Sequence, residues 1–405
     1  MGNGYAERML ASQDIVILGE TNARSDRRRF GLKTTDRLSH VYIIGKTGTG
    51  KSTLIEHMIR QDIAAGRGAA LIDPHGDLVE RLAAWCRTVR HDLTYIDLAD
   101  ETLGIGYNPL LHIRHELRAL VASGAIDLLK LLWSDAWGVR MEHILRNALL
   151  ALLEQPRATL ADILPLLNDK GFRAKILARV ENEQVKQFWL KEYPNYSFRY
   201  QADGIAPIQN KVGAFLSDPR LKRFLTPSGD GLRLRTIMDE GQVLLVNLAQ
   251  GKLGADSSRL LGGLLVTALG SAAFSRAFET EGNRKPFFVY VDEFQNFTTL
   301  AFVNMLAELR KYGVGLTLGH QYLQQLDPAV REAVIGNAGT IVAFRLGAGD
   351  AAYVAKEFAP VFEARDLVSL PNYEMELRLL VDGQPTKPFS ASSLPPNGEA
   401  TKRPA

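Results

Sequence analysis

One stretch has the residue types that hold a chain of phosphates: Gly45-Lys46-Thr47-Gly48-Thr49-Gly50-Lys51-Ser52-Thr53. It has the P-loop form G-x-x-x-x-G-K-S. Its glycines let the backbone wrap tightly, so successive amide N–H groups point at phosphate oxygens. An apolar run, Val41-Tyr42-Ile43-Ile44, precedes it, and helical spacing follows it. A helix opening near Ser52 adds the positive end of its dipole. Lys51 is placed to reach the outer phosphates, and the Ser52 hydroxyl to bind magnesium. ATP with Mg2+ is the ligand this pattern predicts. A Gly-rich turn with an incidental Lys-Ser is the competing explanation, and it leaves the flanking strand and helix unexplained.

Such a loop needs a carboxylate at the end of a neighbouring strand. Three apolar runs end in aspartate: Leu71-Ile72-Asp73, Tyr95-Ile96-Asp97 and Val289-Tyr290-Val291-Asp292. The last is followed by a second acid, Glu293. Hydrolysis needs both jobs done, one carboxylate serving the metal and one polarising the attacking water. Asp292 is therefore assigned to magnesium and Glu293 to the water. The alternative is an Asp-Glu pair capping the next helix. Asp73 and Asp97 read as helix caps or loop residues.

A helix after Asp292 ends in Leu309-Arg310-Lys311-Tyr312-Gly313, and the strand beyond it runs into Gly319-His320-Gln321. Parallel topology puts Gln321 at the carboxyl edge of the sheet, where its amide can meet a γ-phosphate or the water. Arg310 lies at the far end of that helix, away from its own nucleotide. From position it is either a cation complementing the helix dipole or an arginine finger for a neighbouring subunit. Arg345 is a second candidate finger. His75 reads as a turn residue, and His112-Ile113-Arg114-His115 as a solvated helix face, since it lacks zinc-site spacing. The basic runs at 24–29 and at Lys170/Arg173/Lys175/Arg179 read as solvated faces, with phosphate contact as the alternative.

These residues need a sheet to position them. Residues 14–40 read as strands and loops around a basic cluster. Largely apolar runs at 41–44, 69–72, 243–246, 287–291, 313–318 and 340–345 suit strands buried on both faces. Helical stretches at 52–65, 256–279, 299–311, 322–336 and 350–358 separate them, so the expected fold is α/β with a mostly parallel sheet. From about 111 to 200 only helical periodicity is found. The expected domains are 1–110 and 201–394 for the two parts of the nucleotide core, 111–200 for an inserted all-α domain, and 395–405 for a disordered tail.

With 46% hydrophobic and 23% charged residues among 405, the chain reads as an ordinary globular protein. A net charge of +3 is no argument for nucleic acid. A single cysteine, Cys86, excludes an internal disulfide and a cysteine-rich zinc site, and fits a reducing compartment. No secretory signal is visible. Leu260 to Phe274, about fifteen residues, falls short of the roughly twenty that span a bilayer. It is expected to be a buried helix, and the protein to be soluble and cytoplasmic.

The ordered set of motifs resembles the conjugative DNA-transfer ATPases, the TraG/TraD-like coupling proteins of type IV secretion within the HerA/FtsK superfamily. The resemblance spans roughly residues 14 to 395. It rests on Ile44 through Thr53, Ile72-Asp73-Pro74-His75-Gly76-Asp77-Leu78, Tyr107-Asn108-Pro109-Leu110, Val291-Asp292-Glu293-Phe294-Gln295, and Leu309 through Gly313 with His320-Gln321. It implies a RecA-like P-loop NTPase core with an all-α domain, a homo-oligomer in the form of a hexameric ring, and single- or double-stranded DNA in its channel. Carried over by position, Arg310 looks like the trans arginine finger and Gln321 like the γ-phosphate sensor. Membrane members usually begin with transmembrane helices, and none is read here. The expectation is a soluble motor that docks on a membrane or secretion-system partner, or works without one.

The leading expectation is a ring ATPase that translocates DNA. The rival is an ATP-gated module that recruits protein or nucleoprotein cargo, with the all-α domain as its reader. A small-molecule phosphotransferase is disfavoured by the Asp-Glu pair and by the lack of an Arg-rich lid.

Overall fold

The chain was examined as a computed structural model, which describes residues 14–22, 27–298 and 300–395. Arg24, Ser25 and Asp26 of the basic cluster lie outside the described residues, as does 396–405 of the expected tail.

Two compact units emerge. The first comprises the chain up to Tyr95, Thr236–Asn247 and the chain from Arg276 onward. Its strands are β1 (Ile15–Thr21), β2 (Arg29–Lys33), β3 (Val41–Ile44), β4 (Gly68–Asp73), β5 (Leu93–Asp97), β6 (Val243–Asn247), β7 (Phe287–Val291), β8 (Val314–His320), β9 (Thr340–Ala343), β10 (Glu374–Arg378), a small hairpin of β11 (Leu380–Val381) and β12 (Gln384–Pro385), and β13 (Phe389–Ser393). They form a sheet in the order β2-β1-β13-β10-β9-β3-β8-β7-β4-β6-β5, with the hairpin apart.

The runs β3, β4, β6, β7, β8 and β9 are buried along their whole length. That burial explains their largely apolar character. They pair in parallel, with Ile44 opposite both His320 and Ala343, Val291 opposite Leu318 and Ile72, and Asp73 opposite Asn247. Consecutive strands therefore end side by side at one carboxyl edge, the place where such sheets bind ligands. Strands β1, β2, β10 and β13 extend the sheet antiparallel beyond β9. The sequence showed neither β10 nor β13.

Beneath the sheet lies a buried ionic knot. Both terminal nitrogens of Arg37 donate to Asp62 at 2.7 Å, and one also donates to the Tyr290 hydroxyl of β7. Arg67 adds a further bond to Asp62 at 2.6 Å. The Arg37 guanidinium lies 3.6 Å from the centre of the Phe288 ring. This knot joins the far end of the helix Lys51–Ala64 to β7, the strand that Asp292 and Glu293 follow.

The second unit comprises Ile96–Arg235 and Leu248–Ser275. It is helical, with Arg118–Leu132, Val139–Leu153, Phe198–Ser217 and Ala255–Phe274 as its longest elements. It is wider than the expected 111–200. Ser197 caps the helix Phe198–Ser217, which runs across residue 200 and continues past Pro207. Pro194 only opens a short 3-10 turn. The apolar run at 260–274 is part of a longer helix, close to the expected helical stretch 256–279. It is helical over Ala255–Phe278, 24 residues with a mean hydropathy of 1.4 in its most apolar window, 67% of which is buried. By length and composition it could cross a membrane, a property that buried core helices share.

Candidate active site

The loop 45–50 hangs between two neighbouring strand ends. Gly45 N–H donates to the His320 carbonyl at 3.2 Å, and Lys46 N–H to the Arg345 carbonyl at 2.9 Å. The loop closes on itself through the Thr49 hydroxyl, which donates to the Lys46 carbonyl at 2.7 Å. Gly48 and Gly50 have φ of 75° and 127°, a region that side chains strain to enter. The helix Lys51–Ala64 begins at once, with no side-chain cap and no acid in its first turn. Its first amide N–H groups are thus left for an anion.

Lys51 is buried, and its ammonium donates to the Gly45 and Lys46 carbonyls at 2.6 and 3.2 Å. Burial lowers its pKa against the pull of Asp292 and Glu293. An ammonium held this way gains from a phosphate placed beside it.

Asp292 follows β7. One carboxylate oxygen accepts from the Ser52 hydroxyl at 3.0 Å, and the other accepts from the Glu293 N–H at 3.0 Å. Gly319 on β8 makes room for it, since a Cβ there would stand 2.7 Å from the Asp292 carboxylate. Burial pushes the Asp292 carboxyl up, and the charges of Asp73 and Glu293 add to this.

Glu293 has φ 49°, the left-handed region, in which a non-glycine residue stores strain of order 1 kcal/mol. Both its carboxylate oxygens accept amide hydrogens, one from Gln321 and the other from Gln295 at 2.6 Å. Gln321 in turn accepts from the Thr47 hydroxyl at 3.0 Å. Thr47, Gln321, Glu293 and Gln295 thus form one hydrogen-bonded chain across the mouth of the loop. Behind it, His320 shares a hydrogen bond with the Tyr42 hydroxyl at 3.0 Å and packs against Phe294 at 5.1 Å. Burial lowers the His320 pKa to about 3, so this ring is neutral.

A cavity of about 240 Å³ is lined by Thr47, Lys51, Ser52, Thr53, Asp292, Glu293 and Gln321, together with His75 and Tyr373. The structure thus gathers most of the expected site residues. Gly45 and Thr49 shape the loop from behind, and Lys46 projects into a neighbouring cavity. Asp73 caps the helix Asp77–Val89, accepting from Leu78 and Val79 N–H at 3.0 and 3.3 Å. Asp97 accepts from the Ala99 N–H within its own loop.

The arginines lie apart from this cavity. Arg345 donates to the Leu370 carbonyl and the Asn372 side chain, so it is held within its own chain. Arg310 is in the 3-10 turn Leu309–Tyr312, at the amino edge of β8 and opposite the loop. It is exposed, and its guanidinium makes no hydrogen bond or ion pair among the described residues.

Gln295, Tyr373 and the wall formed by His75 were missed from sequence. Tyr373 has φ 67° and donates its N–H to the Thr49 carbonyl at 2.8 Å, so it belongs to the loop through β10. Its only sequence signal was the short Pro371-Asn372 turn before it.

The donor set fits a magnesium nucleotide. One hydroxyl and one carboxylate stand together, beside an ammonium and a row of N–H groups. Magnesium is commonly held by so few protein groups, with substrate phosphates and water completing its shell. Among the described residues, no cluster of three or more His, Cys, Asp or Glu makes a metal site of its own. The ion would therefore arrive with the phosphates.

Comparison with known proteins agrees with this geometry. The sequence profile of the HerA helicase central domain matches residues 25–263, and that of the TraM recognition site of TraD and TraG matches residues 286–362. The fold resembles the bacterial conjugative coupling protein TrwBΔN70 in its unbound form, with a TM-score of 0.68 and 15% identity over 97% of this chain and 92% of that one. TrwB in complex with ADP and Mg2+ aligns with a TM-score of 0.67 and 14% identity, covering 97% of this chain and 92% of that one. VirB4 of Thermoanaerobacter pseudethanolicus aligns with a TM-score of 0.61 and 16% identity, covering 96% of this chain and 97% of that one. At such identities the likeness is one of fold. No curated protein sequence matches the chain. The HerA profile spans more than half of the residues and includes the loop 45–50, so the chain belongs to the HerA helicase central-domain family, with a TraG/TraD-like segment at 286–362.

Proposed function

We propose that this chain hydrolyses ATP and uses the energy to move DNA through a ring of identical subunits. The observation that carries hydrolysis is the contact between Ser52, Asp292 and the phosphate loop, with Glu293 and Gln321 at its mouth. Movement of DNA is supported by family membership. The use of magnesium and adenine nucleotides is supported by the TrwB complexes with ADP and Mg2+ and with the ATP analogue ADPNP.

Lys51 leaves the loop carbonyls for the β- and γ-phosphates. Ser52 and Asp292 are the groups that would hold magnesium, which when bound offsets charge on the phosphate oxygens. Gln321 turns from Glu293 to the γ-phosphate, which frees one carboxylate oxygen. Glu293 then accepts a proton from water as the water oxygen bonds to the γ-phosphorus and the bond to the bridging oxygen breaks, giving ADP and phosphate. A neighbour's Arg310 would stabilise the charge that develops.

The rival is a recruitment module, and the match to a partner-recognition segment favours it. In this chain that segment supplies β7, β8 and β9 and the proposed catalytic acids, so its strands are buried in the core. Recognition of a partner would fall to its exposed turns. ATP-dependent stripping of a protein bound to DNA supports the motor, and ATP-dependent binding without stripping supports the module.

The deciding experiment is ATP hydrolysis with and without single- and double-stranded DNA, across protein concentrations, with Lys51→Ala as blank. Turnover should rise with DNA and steeply with protein concentration. Glu293→Gln should keep nucleotide affinity and lose about 10²-fold or more in turnover, the contribution of a general base. Turnover indifferent to DNA and to concentration would overturn the motor, and an active Glu293→Gln would overturn the assigned base.

A further inference from the structure

A second cavity, of about 480 Å³, lies beside the phosphate cavity. Its walls include Lys46, Tyr322, Gln324, Gly349 and Asp350. Thr47 and Gln321 line both cavities, and these two side chains are hydrogen-bonded to each other at 3.0 Å. The partition is therefore one hydrogen bond between two side chains, worth about 1 kcal/mol.

If the chain hydrolyses ATP as proposed above, the direction of product release follows. ADP stays on the loop, with its inner phosphates at the start of the helix Lys51–Ala64. The nucleoside then occupies the side of Thr53 and Tyr373. The cleaved phosphate is at the other end, beside Glu293 and Gln321, with ADP blocking its return. The outer cavity is what adjoins it there. We propose that this outer cavity is the exit site for inorganic phosphate, and that the contact between Thr47 and Gln321 is its gate.

The charges suit a passage better than a store. The Lys46 side chain extends past Gly347, and its ammonium makes no hydrogen bond or ion pair among the described residues, so it is available to a departing anion. Asp350 faces it from the helix Ala348–Phe358, buried and accepting a backbone hydrogen bond from Leu323. Burial pushes the Asp350 carboxyl up, against the pull of the Leu323 hydrogen bond and the Lys46 charge. A path needs attraction enough to enter and too little to trap. One cation against one buried acid meets that need. Gln321 links the gate to chemistry. While the γ-phosphate is attached, Gln321 attends to it. When phosphate has left, Gln321 returns to Thr47 and Glu293, the arrangement described here.

The test plugs the outer cavity and leaves the catalytic groups intact. A Cβ added at Gly349 meets nothing nearer than the Gln324 amide at 3.7 Å, so Gly349→Leu can grow into the space. In the full chain, ATP cleavage is followed by chemical quench, and free phosphate by a fluorescent phosphate-binding protein. Wild type should show no lag between the two. Gly349→Leu should keep its cleavage burst and release phosphate about tenfold more slowly, with release now limiting turnover. Gly349→Ala, too small to plug the space, should behave as wild type. A separate variant, the exposed Gln324→Glu, adds negative charge to the wall; it should weaken inhibition by added inorganic phosphate and leave KM for ATP unchanged. Release that keeps pace with cleavage in Gly349→Leu, or phosphate inhibition unaltered by Gln324→Glu, overturns the exit alone. Absence of cleavage in wild type overturns the hydrolysis reading and the exit with it.

Discussion

At the scale of the residue, Asp292 shows what the site costs the fold. Its carboxylate is buried beside Asp73 and Glu293, and together these outweigh the help of Lys51 and Ser52. The folded protein therefore binds a proton at Asp292 more tightly than the unfolded chain does. Stability from this group falls as pH rises from the ordinary value of 3.8 through the raised one. The nucleotide-free protein therefore bears a cost for the ionised form of this carboxyl, which magnesium nucleotide would relieve. Asp292→Asn removes it. Its melting temperature without nucleotide should rise, by roughly 1 kcal/mol of stability, while stabilisation by ATP with Mg2+ disappears. Calorimetry with and without nucleotide checks both, and a lower melting temperature in the nucleotide-free variant would contradict the account. Asp292, Glu293 and Gln321 were legible because each follows a largely apolar run, and such runs end where a parallel sheet meets its ligand. Gln295 was not, because the 3-10 turn Phe294–Asn296 carries it back to Glu293. Gly319 was not either, since its role depends on which residue lies across the strand.

At the scale of the element, β10 shows why part of the sheet was hidden. It reads Glu374-Met375-Glu376-Leu377-Arg378, with Met375, Glu376 and Leu377 buried. Glu376 pairs with Ala343 of β9 and Ser390 of β13, and one of its carboxylate oxygens has no hydrogen-bond partner. Burial, with Asp366 adding, raises its pKa from 4.5 to about 7. The folded state therefore holds a proton there that the unfolded chain has lost. Its contribution is fully present below 4.5 and is lost as pH rises to about 7. Glu376→Gln keeps the shape and removes the titration. Melting curves of variant and wild type should coincide in acid and separate in favour of the variant above about 7; parallel curves at every pH would contradict this. A strand of alternating charge and apolar residues looks like a solvated face until its neighbours bury it, and Phe389–Ser393 is too polar to announce a strand at all. The strands β3, β4, β6, β7, β8 and β9 needed no such context, because burial on both faces makes apolar residues predominate along them, with Thr317 and Thr340 among the few exceptions. The helical unit was legible as helical, but its limits were not. Phe198–Ser217 runs through the expected boundary at 200, and the segment returning at Leu248 joins the unit by packing.

At the scale of the whole molecule, Arg310 separates a complete enzyme from an incomplete one. It stands at the amino edge of β8, and Gln321 follows the carboxyl end of the same strand. Strand β8 has 7 residues, so the two edges are about 20 Å apart. No rotamer of Arg310 spans that distance to its own nucleotide. In the proposed ring it would serve the next subunit, and the ring would be the smallest active species. Arg310→Ala should then bind ATP normally and lose about 10³-fold in turnover, the scale on which arginine fingers act. Mixing supplies the decisive comparison. A subunit with Arg310→Ala retains its own Glu293, and a subunit with Glu293→Gln retains its Arg310. Where the second sits beside the first in the right order, one intact site is rebuilt from two inactive chains. Hydrolysis should therefore appear on mixing the two variants and exceed the sum of each alone. It should be absent when both substitutions are on one chain. A mixture no more active than its parts, with assembly verified by light scattering, would return Arg310 to the plainer role of a cation at a helix end, leaving the trans contact to some other residue.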